Sequence, residues 1–358
     1  MLLLNPGPVT LSERVRSSLL QPDLCHRESE FFDLQDEARG RLLSTYSLDS
    51  SQWAAVLMTA SGTAAVESMV AALVPKNGRL LVVENGVYGE RIALICAQYG
   101  INHERIAGDW LRPPDFDLIG AKLTDQSKDG GFTHIAVVHH ETTTGRLNDL
   151  RALSKLCRDH GAGLLVDAVS SFGAEAIDFS DPALCAVAAT ANKCLHGVPG
   201  AAFVIVRRSA LENAASRTYY LDLRRLARLQ DERNTPFTPA VHAYYALVEA
   251  LREYEEQGGR QARYQHYSAL AERVRAGLKA LEIEALMPAE QSSVVLRAYC
   301  LPPGLTYARL HDALKADGFV IYAGQGNLSK TLFRISTMGN LTMADIERLL
   351  NCFMRLLQ

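Results

Sequence analysis

Short apolar runs recur through the first 207 residues, each followed by small or polar residues and then by a stretch with helical spacing. Ala54–Thr59, Arg79–Val83, Asn102–Ile106, His134–His139, Gly163–Val166, Ala186–Ala189 and Ala201–Val206 have the length and β-branched or small-residue content of strands. Between them, Glu37–Tyr46, Ala64–Leu73, a segment ending at Tyr99, Asp117–Lys122 and Leu150–His160 have helical character, and Ser127–Gly131 is a polar loop. Near-continuous apolar strands alternating with helices predict an α/β fold with a mainly parallel sheet covered on both faces. Ahead of it, Asn5-Pro6-Gly7-Pro8 opens an arm that leads into helical spacing over Leu11–Leu20.

The rhythm changes after Arg208. Ala215–Arg233 is polar and Arg-rich, and Thr235-Pro236-Phe237-Thr238-Pro239 is a stiff turn. A long helix is expected from Ala243 past Gly258-Gly259 to about Leu281. Strands at Ser292–Ala298, Phe319–Tyr322 and Leu332–Ile335 then combine with helices Tyr307–Asp317 and Met343–Leu357. These predict a smaller α+β unit, giving an arm at 1–15, a large domain at 16–254 and a small domain at 255–358.

In open α/β sheets, ligands gather at the carboxyl ends of the strands. Ser61-Gly62-Thr63, Tyr88, Glu141–Thr144, Asp167 and Lys193 all fall at such ends. A strand–Ser-Gly-Thr–helix junction aims backbone N–H groups and hydroxyls at an anion, aided by the helix dipole. Asp167 ends the apolar run Gly163-Leu164-Leu165-Val166, where a carboxylate is costly unless a cation or donors meet it. The protonated ring nitrogen of pyridoxal phosphate (PLP) is a fitting partner, and Lys193 then carries the aldehyde. Taken singly, each residue has an ordinary reading: a surface lysine, a capping aspartate, a core tyrosine.

Composition narrows the field. The 358 residues are 48% hydrophobic and 22% charged with a net charge of −3, which gives no bulk attraction for nucleic acid or an anionic membrane. The seven cysteines are scattered, odd in number and form no C-x-x-C pair, as expected of reduced thiols in the cytoplasm rather than a zinc or disulfide framework. The N-terminal apolar stretch is broken by Pro-Gly-Pro and lacks a basic region, so it is not expected to be a signal peptide, and no run has the ~20 apolar residues of a membrane span.

The motifs named so far, with Asn85-Gly86-Val87-Tyr88-Gly89, His140-Glu141-Thr142-Thr143-Thr144-Gly145, Asp167-Ala168-Val169-Ser170-Ser171 and Ala191-Asn192-Lys193-Cys194, resemble the class V, fold-type I PLP aminotransferases over nearly the whole chain. Glu141–Gly145, Ala191–Cys194 with Gly197-Val198-Pro199-Gly200, and Gly318–Tyr322 are most similar to the 2-aminoethylphosphonate:pyruvate transaminase subgroup. The resemblance implies a set of roles. Lys193 is covalently attached to the cofactor and shuttles a proton, and Asp167 pairs with the ring nitrogen. Tyr88 stacks on one ring face, with Val169 on the other. Ser61, Gly62, Thr63 and Asn192 bind the phosphate, and Thr143 sits near the ring hydroxyl. Thr238 reaches the cofactor phosphate of a neighbouring subunit, which implies a homodimer with shared active sites, and Arg334 clamps the acceptor's carboxylate.

One segment departs from the subgroup. Cys25-His26-Arg27-Glu28 stands where a Trp/Asp-rich stretch is expected, so Arg27 either helps bind a phosphonate dianion or pairs with Glu28 or Glu30. The expected reaction moves an amino group from 2-aminoethylphosphonate to pyruvate. The alternatives are a PLP-dependent ammonia-lyase acting on 1-hydroxy-2-aminoethylphosphonate, and alanine or serine–glyoxylate transamination. A catalytically silent regulatory member is disfavoured, because Lys193 and Asp167 are both present and no basic patch is visible.

Overall fold

The computed structural model describes residues 1–125 and 131–357. Of the polar loop expected at 127–131, all but Gly131 lies outside the described residues. A seven-stranded sheet runs in the order Trp53–Ala60, Gly200–Arg207, Leu184–Thr190, Gly163–Asp167, His134–Val138, Arg79–Glu84, Asn102–Ala107. Gly200–Arg207 is antiparallel to both of its neighbours, and the remaining pairs are parallel. Side chains alternate between two apolar layers. One layer packs under Ser29–Ser44, Leu150–His160 and Val241–Glu256, the other under Gly62–Leu73, Val87–Gln98 and Leu223–Asp231. Burial on both faces is why these strands read as unbroken apolar runs.

A second sheet of three antiparallel strands, Leu296–Cys300, Leu332–Ser336 and Tyr322–Ala323, shares a separate core with helices Gly259–Lys279, Tyr307–Ala316 and Met343–Leu357. The N-terminal arm joins it: Leu2–Leu3 pairs in parallel with Phe319–Val320.

Several boundaries differ from expectation for identifiable reasons. The long helix from 243 to 281 is two helices, Val241–Glu256 and Gly259–Lys279. Gly258 (φ +97°) and Gly259 (φ +65°) take left-handed backbone that ends the first and turns the chain. The Arg-rich stretch contains the helix Leu223–Asp231, capped by the Asp222 carboxylate on the Arg225 N–H and buried through Leu223, Leu226, Ala227 and Gln230. Gln230 also accepts from the Leu57 N–H (3.0 Å) and donates to the Leu57 carbonyl (2.7 Å), which pairs the backbone of that residue on the edge strand of the large sheet. The helix expected at 37–46 begins earlier, at Ser29, and the strand expected at 292–298 is Leu296–Cys300. The run 319–322 is divided between two partners, the arm and Leu332–Ser336.

Candidate active site

The turn 191–199 joins Leu184–Thr190 to Gly200–Arg207, and its geometry follows from their antiparallel pairing. Ala191 N–H donates to the Ala201 carbonyl (3.0 Å) and Gly197 N–H to the Ala191 carbonyl (2.8 Å), which closes the loop under Lys193. Gly200 pairs with Ala60, so this turn lies beside the start of helix Gly62–Leu73. Asp167 ends the adjacent strand Gly163–Asp167.

Lys193 points under the N-terminal arm, where its amine donates to the Pro6 carbonyl. Gly7 lies so close that a Cβ there would stand 2.7–2.9 Å from the last three atoms of the lysine side chain. Removal from water pushes the Lys193 pKa down to about 8, against the opposing pull of the Asp167 carboxylate; Arg334 and Arg91 push it the same way as burial. Asp167 is 7% exposed, and burial pushes its carboxyl up to about 6. The Val169 N–H (2.9 Å), Arg91 and Lys193 work in the other direction. Among the described residues Asp167 forms no ion pair, so a buried carboxylate is left facing the site.

Val169 links Asp167 to the helix start, since a Cβ on Gly62 would stand 2.8 Å from both Val169 methyls. Ser61 occupies the N-cap of Gly62–Leu73 without a side-chain capping bond, and the first intrahelical donor is Ala64. The Gly62 and Thr63 N–H groups are therefore free for an anion. Asn192 stays close to the sheet, where its Oδ1 accepts from the Thr190 hydroxyl (2.8 Å).

Tyr88 stands in the first turn of Val87–Gln98, and the fully buried Glu141 carboxylate holds that turn. It accepts from the N–H groups of Tyr88 and Gly89 (3.2 Å each) and of Thr143 (3.0 Å). Burial raises the Glu141 pKa, which the Thr143 contacts oppose. A Cβ on Gly86 would overlap the Glu141 side chain. The Thr143 hydroxyl accepts from the Val87 N–H (3.1 Å), so Thr143 and Tyr88 are set by one network.

Arg334, 2% exposed, reaches this network from the small sheet. It donates to the carbonyls of Ala323 (2.8 Å) and Thr142 (2.9 Å) and to Gln325 Oε1 (2.9 Å). Among the described residues no carboxylate pairs with it, and burial lowers its pKa. A buried, unpaired guanidinium is costly unless an anionic ligand completes it.

Two expected site residues are elsewhere in the single chain. Thr238 is exposed on a loop whose Phe237 packs against Tyr219 and Tyr220. Arg27 is exposed and donates to the Thr235 carbonyl (3.0 Å) and Asn234 Oδ1 (3.4 Å), not to Glu28 or Glu30. Arg91, in contrast, was not foreseen; it lies three residues beyond Tyr88 on the same helix, the spacing that places two side chains on one face.

Comparison with known proteins decides the family. The class V aminotransferase model matches residues 23–349. The chain belongs to this family. Its curated relatives include 2-aminoethylphosphonate–pyruvate transaminases of Bacillus cytotoxicus (36% identical) and Vibrio cholerae (37%), each alignment spanning 98% of this chain and 96% of the relative. Similar solved structures include an aspartate aminotransferase of subgroup IV from Thermus thermophilus, with TM-score 0.90, 28% identity and coverage of 100% and 99% of the two chains. An alanine–glyoxylate aminotransferase from Nostoc matches with TM-score 0.91 and 25% identity, covering 100% and 95%.

The enzyme is an aminotransferase using an amino donor and a 2-oxo acid acceptor, and its cofactor is PLP. The residues fit that group on their own chemistry: a lysine amine kept from full protonation, a buried carboxylate without a cation, and an uncapped helix start where glycine leaves room. No helix among the described residues is long and apolar enough to cross a membrane.

Proposed function

We propose that the chain transfers the amino group of 2-aminoethylphosphonate to pyruvate, giving phosphonoacetaldehyde and alanine. The observation that carries this reading is the identity of 36–37%, over nearly the full length of both chains, to transaminases of that name. Bound PLP supplies the electron sink for breaking a bond at the amino-bearing carbon. Lys193 holds the cofactor and moves the proton to and from that carbon, a task suited to an amine with a pKa near 8. Asp167 keeps the ring nitrogen protonated, while Tyr88 and Val169 flank the ring. Ser61, Gly62, Thr63 and Asn192 hold the phosphate, Thr143 lies toward the ring hydroxyl, and Arg334 clamps the carboxylate of pyruvate or alanine.

The arm at 1–15, the large domain at 16–254 with the cofactor, and the small domain at 255–358 with the carboxylate clamp form the working unit. Two copies form a homodimer in the cytoplasm, and the exposed Thr238 of each reaches the other's phosphate site. Arg27, anchored on the same 234–238 loop, helps receive the phosphonate. These assignments rest on the family resemblance and on the exposure of the loop.

The test incubates the purified protein with 2-aminoethylphosphonate and pyruvate and quantifies products by NMR. Equal amounts of alanine and phosphonoacetaldehyde are expected. Ammonia release from 1-hydroxy-2-aminoethylphosphonate, with no alanine from the first pair, refutes the transaminase reading in favour of the lyase.

A further inference from the structure

Arg91 combines four features that have no structural need for one another. It is half-buried on helix Val87–Gln98, and among the described residues it has no carboxylate partner. Its Nη1 donates to the Thr63 hydroxyl oxygen (3.1 Å), at the uncapped start of the neighbouring helix. Its guanidinium carbon lies 4.6 Å from the centre of the Tyr88 ring. Its charge is felt at both Asp167 and Lys193. A guanidinium that packs on a ring is steadied by cation–π attraction without being neutralised.

The Thr63 contact has a directional consequence. A hydroxyl offers one hydrogen and two lone pairs, and Arg91 occupies a lone pair. The hydroxyl hydrogen is then left to donate elsewhere, on the side where the Gly62 and Thr63 N–H groups open. The helix start alone supplies partial charge, equivalent to about half an elementary charge. A doubly charged phosphate calls for more, and Arg91 brings a full charge to that position.

We infer that Arg91 is the charged member of the cofactor's phosphate cradle, fixing the Thr63 hydroxyl as a donor and adding its own charge to the helix start. The inference rests on the reading of Ser61–Thr63 as that cradle. It predicts selectivity for the phosphoryl group rather than for the ring, which separates it from a role in merely supporting Tyr88.

The experiment titrates cofactor-free protein with PLP and with pyridoxal, which lacks the phosphate, and follows binding by absorbance and fluorescence. Arg91→Gln is expected to weaken PLP about ten- to hundredfold, the range for losing a charge-assisted interaction, and to leave pyridoxal within about twofold. Arg91→Lys recovers most of the loss, because the charge is kept. Arg91→Met, which keeps an unbranched side chain against the Tyr88 ring and removes the charge, shows the same selective loss and serves if Arg91→Gln fails to fold. Equal weakening of PLP and pyridoxal overturns the inference, as does an unchanged PLP affinity with a raised KM for 2-aminoethylphosphonate. Failure of the unaltered protein to bind PLP overturns the cradle and the inference together, whereas wild-type binding with an indifferent Arg91→Gln overturns only Arg91.

Discussion

Replacing Asp167 by asparagine is expected to stabilise the cofactor-free protein while abolishing its chemistry. Burial moves the Asp167 carboxyl from 3.8 to about 6, so the fold favours the protonated form. Between these two values the folded chain holds more of the proton than the unfolded chain, and stability therefore falls as pH rises through that window. The loss is complete above about pH 6. Two pKa units correspond to about 3 kcal/mol, which is the ceiling for what an uncharged isostere recovers. Two effects reduce it. Lys193 loses a carboxylate that favours its ammonium, and the new amide N–H₂ group needs acceptors that a buried site lacks. The expected gain is about 1–3 kcal/mol at pH 7–8, a shift of several degrees in Tm. It shrinks by more than half at pH 4.5, where the folded carboxyl is almost wholly protonated and the pH stands only a little above the unfolded value of 3.8. Thermal unfolding of both cofactor-free proteins across this pH range measures it. A variant less stable than wild type at pH 8, or a difference that does not change with pH, refutes the reasoning.

Borohydride reduction of the PLP-loaded enzyme is expected to leave the cofactor mass on the peptide containing Lys193, and Lys193→Ala is expected to carry none; an adduct on another lysine in the wild type removes Lys193 from its role. Arg334→Ala is expected to raise the KM for pyruvate on the order of a hundredfold, and Arg334→Lys to recover only part, because an ammonium cannot make the forked contact; steady-state kinetics with the amino donor saturating will show an unchanged KM if the clamp is elsewhere. Gly7→Ala places a methyl group 2.7–2.9 Å from the end of Lys193 at φ +112°, so it should cost about 1–2 kcal/mol in denaturant unfolding and lower kcat more than it raises KM, and a normal kcat means the arm does not hold the lysine.

The strands of the large sheet were legible because burial on both faces leaves little room for polar residues, and their predicted ends fall within two residues of the observed ones. Helix Leu223–Asp231 was hidden by its composition: arginine at 224, 225 and 228 outweighs the narrow buried stripe of Leu223, Leu226, Ala227 and Gln230. The break at Gly258-Gly259 was visible as residues, but apolar spacing on both sides argued for continuity, and only the positive φ values decide the matter. The split of 319–322 is not a local property, because the arm's Leu2–Leu3 supplies one of the two partners. In the site, Asp167 could be found because it ends a buried strand, and Lys193 because it stands in the short turn between two. Arg91 belongs to a helix face, and one arginine among helical residues carries no signal until Thr63 and Tyr88 are placed around it. Glu141 was noticed by position, while its use as the anchor of the Tyr88 turn depends on contacts across the chain.

The same contacts explain why this pocket suits a ligand with several charges. Lys193, Arg91 and Arg334 bring three basic groups toward one place, yet among the described residues none of them has a carboxylate ion-pair partner. Of the two buried carboxylates assigned to this site, Glu141 is taken up by backbone N–H groups and Asp167 is answered only by the Val169 N–H and by charges at longer range. Lys193, Asp167 and Arg334 each lower the stability of the empty fold, because burial of an incompletely matched charge costs free energy. On the proposed reading, a phosphate dianion at Thr63 and Arg91, a protonated ring nitrogen at Asp167 and a carboxylate at Arg334 would complete Arg91, Asp167 and Arg334 at once. Binding strength and chemical position then come from the same residues that weaken the empty site, so changes such as Asp167→Asn should move stability and activity in opposite directions.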